Sequence, residues 1–221
     1  RAEIVSYGFR RARQAGSETI YAGVMAPALT ALRPASEIRD FAIDAVRLAL
    51  LAGREEDARD WYRFMREAAQ MGDDRAAAAL TELWPLVMIG APMEDVAYSP
   101  DNLEAWWTRR QQMEDPERDG LAIALFTILE ADGHEVPEYL WSGLMNSAAA
   151  SGQAPNFSVW RGLSQAAEAG RVGETALAAL VSIGGSSTPV VVSGVMRALT
   201  TVGLEREARA IAIAALIRRG L

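Results

Sequence analysis

The only histidine, His134, lies in the run Glu130-Ala131-Asp132-Gly133-His134-Glu135, with Glu138 close behind. Imidazole and carboxylate groups ligate zinc, and His134-Glu135-Val136-Pro137-Glu138 is half of an H-E-x-x-H arrangement. That arrangement needs a second histidine one helical turn on, aligned by an unbroken helix. Here the position holds Glu138 and Pro137 interrupts the helix, so the segment reads as a solvated turn. Serine chemistry has as little support. Gly184-Gly185-Ser186-Ser187 lacks the second glycine of a nucleophile elbow and the strand that precedes one, and reads as a flexible connector. Carboxylate pairs, which could perform glycoside hydrolysis, are plentiful: Asp40 with Asp44, Glu55 with Glu56, Asp73 with Asp74. Each falls at a helix start or on an exposed helical face, and nothing singles one out. Asn156-Phe157-Ser158 matches a glycosylation sequon, too common a triplet to carry weight. No catalytic, cofactor-binding or metal-ligating residue is assigned, and a non-enzyme is expected.

A second group could carry recognition. Trp106 and Trp107 are adjacent, and neighbours on a helix point about 100° apart, so both cannot face one core. One is expected to pack inward with Leu103 and Met113, the other to sit at an edge beside Arg109, Arg110 and a loop carrying Tyr98. Exposed tryptophan next to arginine is the composition of an interface hot spot. The competing reading is a tryptophan that covers its own loop or stacks under an arginine. Tyr98, Trp106, Trp107, Arg109 and Arg110 are the candidate partner-binding residues. The other tryptophans, Trp61, Trp84, Trp141 and Trp160, sit at helical spacing among Leu, Met or Ala and are expected in the core.

Composition narrows the chemistry further. The 221 residues contain no cysteine, which removes disulfides, thiolate nucleophiles and cysteine-based metal sites. Lysine is also absent, all 22 basic residues being arginine, so Schiff-base chemistry and a P-loop lysine are excluded. With 29 acidic residues the formal charge is −7, and an acidic surface disfavours nucleic acid as a partner. The apolar run over residues 83–89 is too short to span a bilayer and contains Pro85. The chain opens on Arg1, so it is expected to be the C-terminal part of something longer, and its compartment stays open.

The elements that must carry these residues are helices. Gly16, Gly53, Gly90, Gly133, Gly170 and Gly203 each follow an apolar stretch, at intervals of 37, 37, 43, 37 and 33 residues. Such a period marks stacked αα-hairpins, because one hairpin cannot bury its apolar face alone. Pro34, Pro100, Pro116, Pro137, Pro155 and Pro189 fall where helices should begin, a position that tolerates a missing N–H. The expected hairpins pair residues 2–15 with 17–32, 35–52 with 54–71, 73–89 with 100–113, 116–131 with 137–150, 155–169 with 171–183, and a tail over 188–221. Pro27 should kink the first hairpin, and the third should break near Trp84-Pro85. In the second, Phe41, Val46, Leu48 and Ala49 face Ala58, Trp61, Tyr62 and Met65. Val190-Val191-Val192 looks β-like but sits in a helical frame.

At two turns the residues resemble tetratricopeptide repeats. Gly53-Arg54-Glu55-Glu56-Asp57-Ala58 and Gly203-Leu204-Glu205-Arg206-Glu207-Ala208 carry a turn glycine and, five positions on, a small alanine. In that family the alanine lets the two helices cross closely. The family's early aromatic is replaced by Ala42 and Val192, its closing proline falls at Gln70 and Gly220, and at the fifth turn the alanine slips to Ala176. The stretch from Gly170 onward is also similar to the tail of Ala-rich bacterial proteins of no assigned function. The expected fold is all-α over residues 1–221 as a single repeat domain of about twelve helices, either an αα-hairpin solenoid or a compact curved array. The expected function is a scaffold holding a protein or peptide in a concave groove lined by the first helix of each hairpin. A carboxylate-dependent helical hydrolase or lyase, and a structural or self-associating domain, are the alternatives.

Overall fold

The structure, a computed structural model, describes residues 1–113, 117–147, 149, 156–185 and 187–221. It is all-α: the described residues form twelve α-helices, one 3-10 turn and no strand beyond an isolated bridge between Met93 and Val96. Val190 to Val192 are helical. The helix starts expected at Pro116 and Pro155 lie outside the described residues. Packing divides the chain into two units, residues 1–106 with 220–221, and residues 107–219.

The first unit contains α1 (Ala2–Gln14), α2 (Glu18–Ala31), a 3-10 turn (Ser36–Phe41), α3 (Ala42–Leu51), α4 (Glu55–Gln70), α5 (Asp74–Gly90) and the start of α6 (Pro100–Gln111). From α1 to α5 each helix packs on its successor, and α3 also touches α1 and α5. The eight residues expected to join α3 and α4, from Phe41 to Met65, are all buried. The second unit contains α7 (Arg118–Ala131), α8 (Glu138–Ser142), α9 (Phe157–Glu168), α10 (Val172–Gly185), α11 (Pro189–Thr201) and α12 (Glu205–Arg218). Helices α9 to α12 pack in chain order, while α7 lies across α11 and α12. Helix α8 is a single turn where a helix to residue 150 is expected, because Gly143, Asn146 and Ser147 are weak helix formers that favour turns.

One turn design recurs. At Gly53 (φ 66°) and Gly203 (φ 80°) the backbone enters the left-handed region. The next N–H reaches back five residues, Arg54 donating to the Ala49 carbonyl at 2.8 Å and Leu204 to Leu199 at 2.9 Å. This bond satisfies a carbonyl the ended helix leaves orphaned. The same bond runs from Ser17 to Ala12, Asp73 to Ala68, His134 to Leu129 and Arg171 to Ala166. Gly90 does not join the series; it is the last residue of α5, and Gly72 (φ 90°) takes the left-handed conformation before that helix. Five residues past the glycine sit buried Ala58 and Ala208. At the fifth turn Thr175, rather than Ala176, fills that buried place, its hydroxyl donating to the Arg171 carbonyl.

These turns make a paired prediction. A Cβ on Gly203 would meet no atom within 4 Å, so the cost of Gly203→Ala is the strain of an L-residue at φ 80° and should be about 1–2 kcal/mol. Gly23, exposed within α2, is equally open to a Cβ, and Gly23→Ala should stabilise by about 0.5–1 kcal/mol. Thermal unfolding of both variants reads the difference, and a Gly203→Ala protein as stable as the parent would contradict the turn.

Neither internal proline ends its helix: α2 runs through Pro27 and α5 through Pro85. Proline within a helix costs about 3 kcal/mol. Leu83 to Ile89 are all buried, and each large apolar side chain contributes about 1.5–3 kcal/mol. Burial therefore outweighs the missing hydrogen bond several-fold. Trp61 and Trp84 are buried as expected, whereas Trp141 and Trp160 are half-buried. The Trp141 N–H donates to Glu130 Oε1 at 2.8 Å, which holds one edge at the surface. The Trp160 ring lies against Gly194 of α11, where a Cβ would stand 1.9 Å from it.

Candidate functional site

The five residues selected from sequence do not form an exposed hot spot. Trp106 is 1% exposed and Trp107 6%. Trp107 meets the edge of Phe126 with centroids 6.3 Å apart and planes at 74°. Arg110 is also withdrawn, at 4% exposure, while Arg109 is exposed and Met113 is not in the core. Tyr98 is half-buried with its ring 6.4 Å from Trp84. The expectation that one tryptophan stands at an edge is corrected: angular separation on a helix puts the rings in different directions, but both directions are covered. Trp106 falls in the first unit and Trp107 in the second.

The chemistry-bearing segments are occupied by structural tasks. His134 follows Gly133 in the turn after α7, its Nε2 3.5 Å from Asp132. Burial pushes the Asp132 carboxyl up from its ordinary value, and His134 and Arg209 partly oppose this. Glu130 holds Trp141, and no three His, Asp or Glu side chains converge as metal ligands among the described residues. The Asn156 side chain accepts from the N–H groups of Ser158 and Val159 and so caps α9. Ser186 lies outside the described residues. Asp44 accepts from Ser6, and Glu55 and Glu56 both bind Arg59.

What the packing does create is a cleft of about 460 Å³ in the first unit, between the 3-10 turn with α3 on one side and α5 on the other. Its construction starts at Ala35, which is extended, and at Ile38 (φ −124°, ψ 26°), which departs from helical geometry so that the α-helical ladder begins only at Ala42. The short turn presents Glu37, Arg39 and Asp40 to the cleft. Opposite, Gly72 turns the chain so that Asp73 caps α5, its Oδ1 accepting from Arg75 N–H at 3.0 Å and Ala76 N–H at 3.1 Å. Asp73 also binds Arg39, which joins the two walls. Its carboxyl is held below the usual range by the Ala76 N–H first, with Arg39 and the Arg75 N–H adding to this against some desolvation. Between the charged rims Ile43, Met65, Ala76 and Ala79 form an apolar floor.

The outer face of α4 is organised differently. Arg59, Arg63 and Arg66 recur at helical spacing beside residues 92–95 of the loop before α6. Each is matched: Arg59 by Glu55 and Glu56, Arg63 by Asp60, Arg66 by Asp95. Beneath them Tyr62 has its phenol pushed up to about 12 by burial, with Arg66 lowering and Asp95 raising it. No local sequence pattern marks the cleft, because Arg39 and Asp73 are 34 residues apart and meet only through packing. The one local signal was an aspartate directly after a turn glycine. Comparison of the chain with protein-family models, with curated proteins and with solved structures found no match.

Proposed function

We propose that the chain is a non-catalytic scaffold that binds a protein or peptide, and that the docking groove is the cleft between the 3-10 turn, α3 and α5. The observation that carries this is the composition of the cleft, an apolar floor between two rims of mixed charge. Peptide grooves take an apolar side chain into such a floor and fix its register with polar groups at the edge. The position agrees with a groove lined by first helices, since α3 and α5 fall where the first helices of the second and third expected hairpins lie. Asp73 supports binding over acid catalysis: its carboxyl is lowered and tied to a helix cap, whereas a proton donor needs a raised value.

The test pans random displayed peptides against the whole chain. Enriched peptides should bind the parent and lose at least about tenfold in affinity on Ile43→Trp, which fills the floor from a half-exposed position, and about three- to tenfold on Asp40→Lys at the exposed rim. Enriched peptides that bind Ile43→Trp as tightly as the parent would place the docking surface elsewhere.

A further inference from the structure

Helix α12 is apolar on two faces. Ala212, Ile213, Leu216 and Ile217 are buried, whereas Ile211, Ala214 and Ala215, at spacings of three and four, are only half covered. A helix that is hydrophobic all round is ordinarily enclosed on every side. Here the second stripe instead lines a pocket of about 290 Å³, closed by Ile183 of α10 and Val192 of α11. The alanines leave the space open, since a larger side chain at either place would fill it.

One end of this pocket is charged. Arg219 lies at its edge, with Arg218 beside it. Arg219 Nη2 donates to the Ser187 carbonyl at 2.9 Å, which fixes the guanidinium in place. No carboxylate forms a salt bridge with Arg219 among the described residues, and only one of its five N–H groups is engaged by the hydrogen bond. It is half-buried, and desolvation draws its pKa down while Glu117 raises it in part. Arg219 is partly withdrawn from water, held by a neutral carbonyl and only partly compensated by Glu117, which makes no salt bridge with it, so its guanidinium keeps donors that can take an anion at the apolar hollow.

We propose that this pocket binds a small aliphatic carboxylate, its chain against Ile183, Val192, Ile211 and Ala214 and its head group on Arg219. The planar guanidinium matches a carboxylate through two parallel hydrogen bonds. The size follows from the volume: at about 30 Å³ per water-sized group, the pocket takes on the order of ten non-hydrogen atoms, the number in octanoate. The site lies entirely in the second unit and does not depend on the peptide groove.

The experiment titrates the full chain with octanoate, with octanol (the same chain without the charge) and with acetate (the same head group without the chain). Calorimetry or ligand-observed NMR should give saturable octanoate binding with Kd on the order of 0.1–1 mM. Octanol should bind about tenfold more weakly and acetate should show no saturation. Arg219→Gln should bring octanoate down to the affinity of octanol while leaving octanol unchanged, a pattern that general loss of structure would not produce. Ala214→Phe, if folded by circular dichroism, should remove both. The proposal is overturned if the parent chain shows no saturable octanoate binding, or if Arg219→Gln leaves the ratio of octanoate to octanol affinity as it was.

Discussion

Trp61→Ala is expected to lower the stability of the chain by about 3–5 kcal/mol, a large part of the roughly 5–15 kcal/mol that holds a domain folded. Trp61 is among the largest fully enclosed side chains and sits on α4, the helix clasped by both α3 and α5. Phe41 meets it edge-on at 5.6 Å and 89°, and Phe64 at 6.1 Å and 89°. Edge-to-face pairs add about 0.5–1.5 kcal/mol each beyond the area they bury. Truncation loses both pairs and leaves a void that neighbours packed on two sides cannot close. Trp61→Phe, which keeps an aromatic edge in place, should restore more than half of the loss. Urea unfolding followed by circular dichroism measures both variants, and a loss below about 1 kcal/mol for Trp61→Ala would show that the ring is not the centre of this core.

That core was legible in the sequence because several signals agreed at one place. Phe41, Val46, Leu48 and Ala49 form one apolar set, Ala58, Trp61, Tyr62 and Met65 answer it at spacings of three and four, Gly53 separates them, and Glu55, Glu56 and Asp57 charge the following first turn. Where one signal stood alone it misled. Gly90 follows an apolar run like the other turn glycines, yet the burial of Leu83 to Ile89 carries the helix on to that residue. Gly72 follows the polar end of α4 and so lacked the apolar prelude, although its backbone takes the left-handed turn. The pocket on α12 was out of reach for a related reason: a helix apolar on two faces has no phase from which to tell the filled face from the open one. The same holds for α10, whose Leu177, Leu180 and Val181 point into solvent although its pattern suits a buried helix. The cleft beside α5 depends on Arg39 and Asp73 coming together across 34 residues, which no local pattern encodes.

Phe126→Ala is expected to cost the second unit about as much, about 3–5 kcal/mol, and it bears directly on Trp107. Phe126 is fully buried on α7 and stands between two indoles, Trp107 at 6.3 Å and 74° and Trp141 at 5.4 Å and 82°. Trp141 is itself tethered through its N–H to Glu130, so it cannot follow a retreating neighbour into the void. Trp107→Ala should be destabilising by a similar amount, and the double variant should fall short of the sum by about 0.5–1.5 kcal/mol, because the two changes remove one shared contact. Arg109→Ala, on the exposed side of the same helix, should stay within about 0.5 kcal/mol of the parent. A Trp107→Ala protein as stable as Arg109→Ala would return the indole to the surface and revive it as a contact for partners. If the expected order holds, weaker partner binding by Trp107→Ala reports damage to the α7 core, and the binding role of this helix is tested at Arg109, where the fold is left intact.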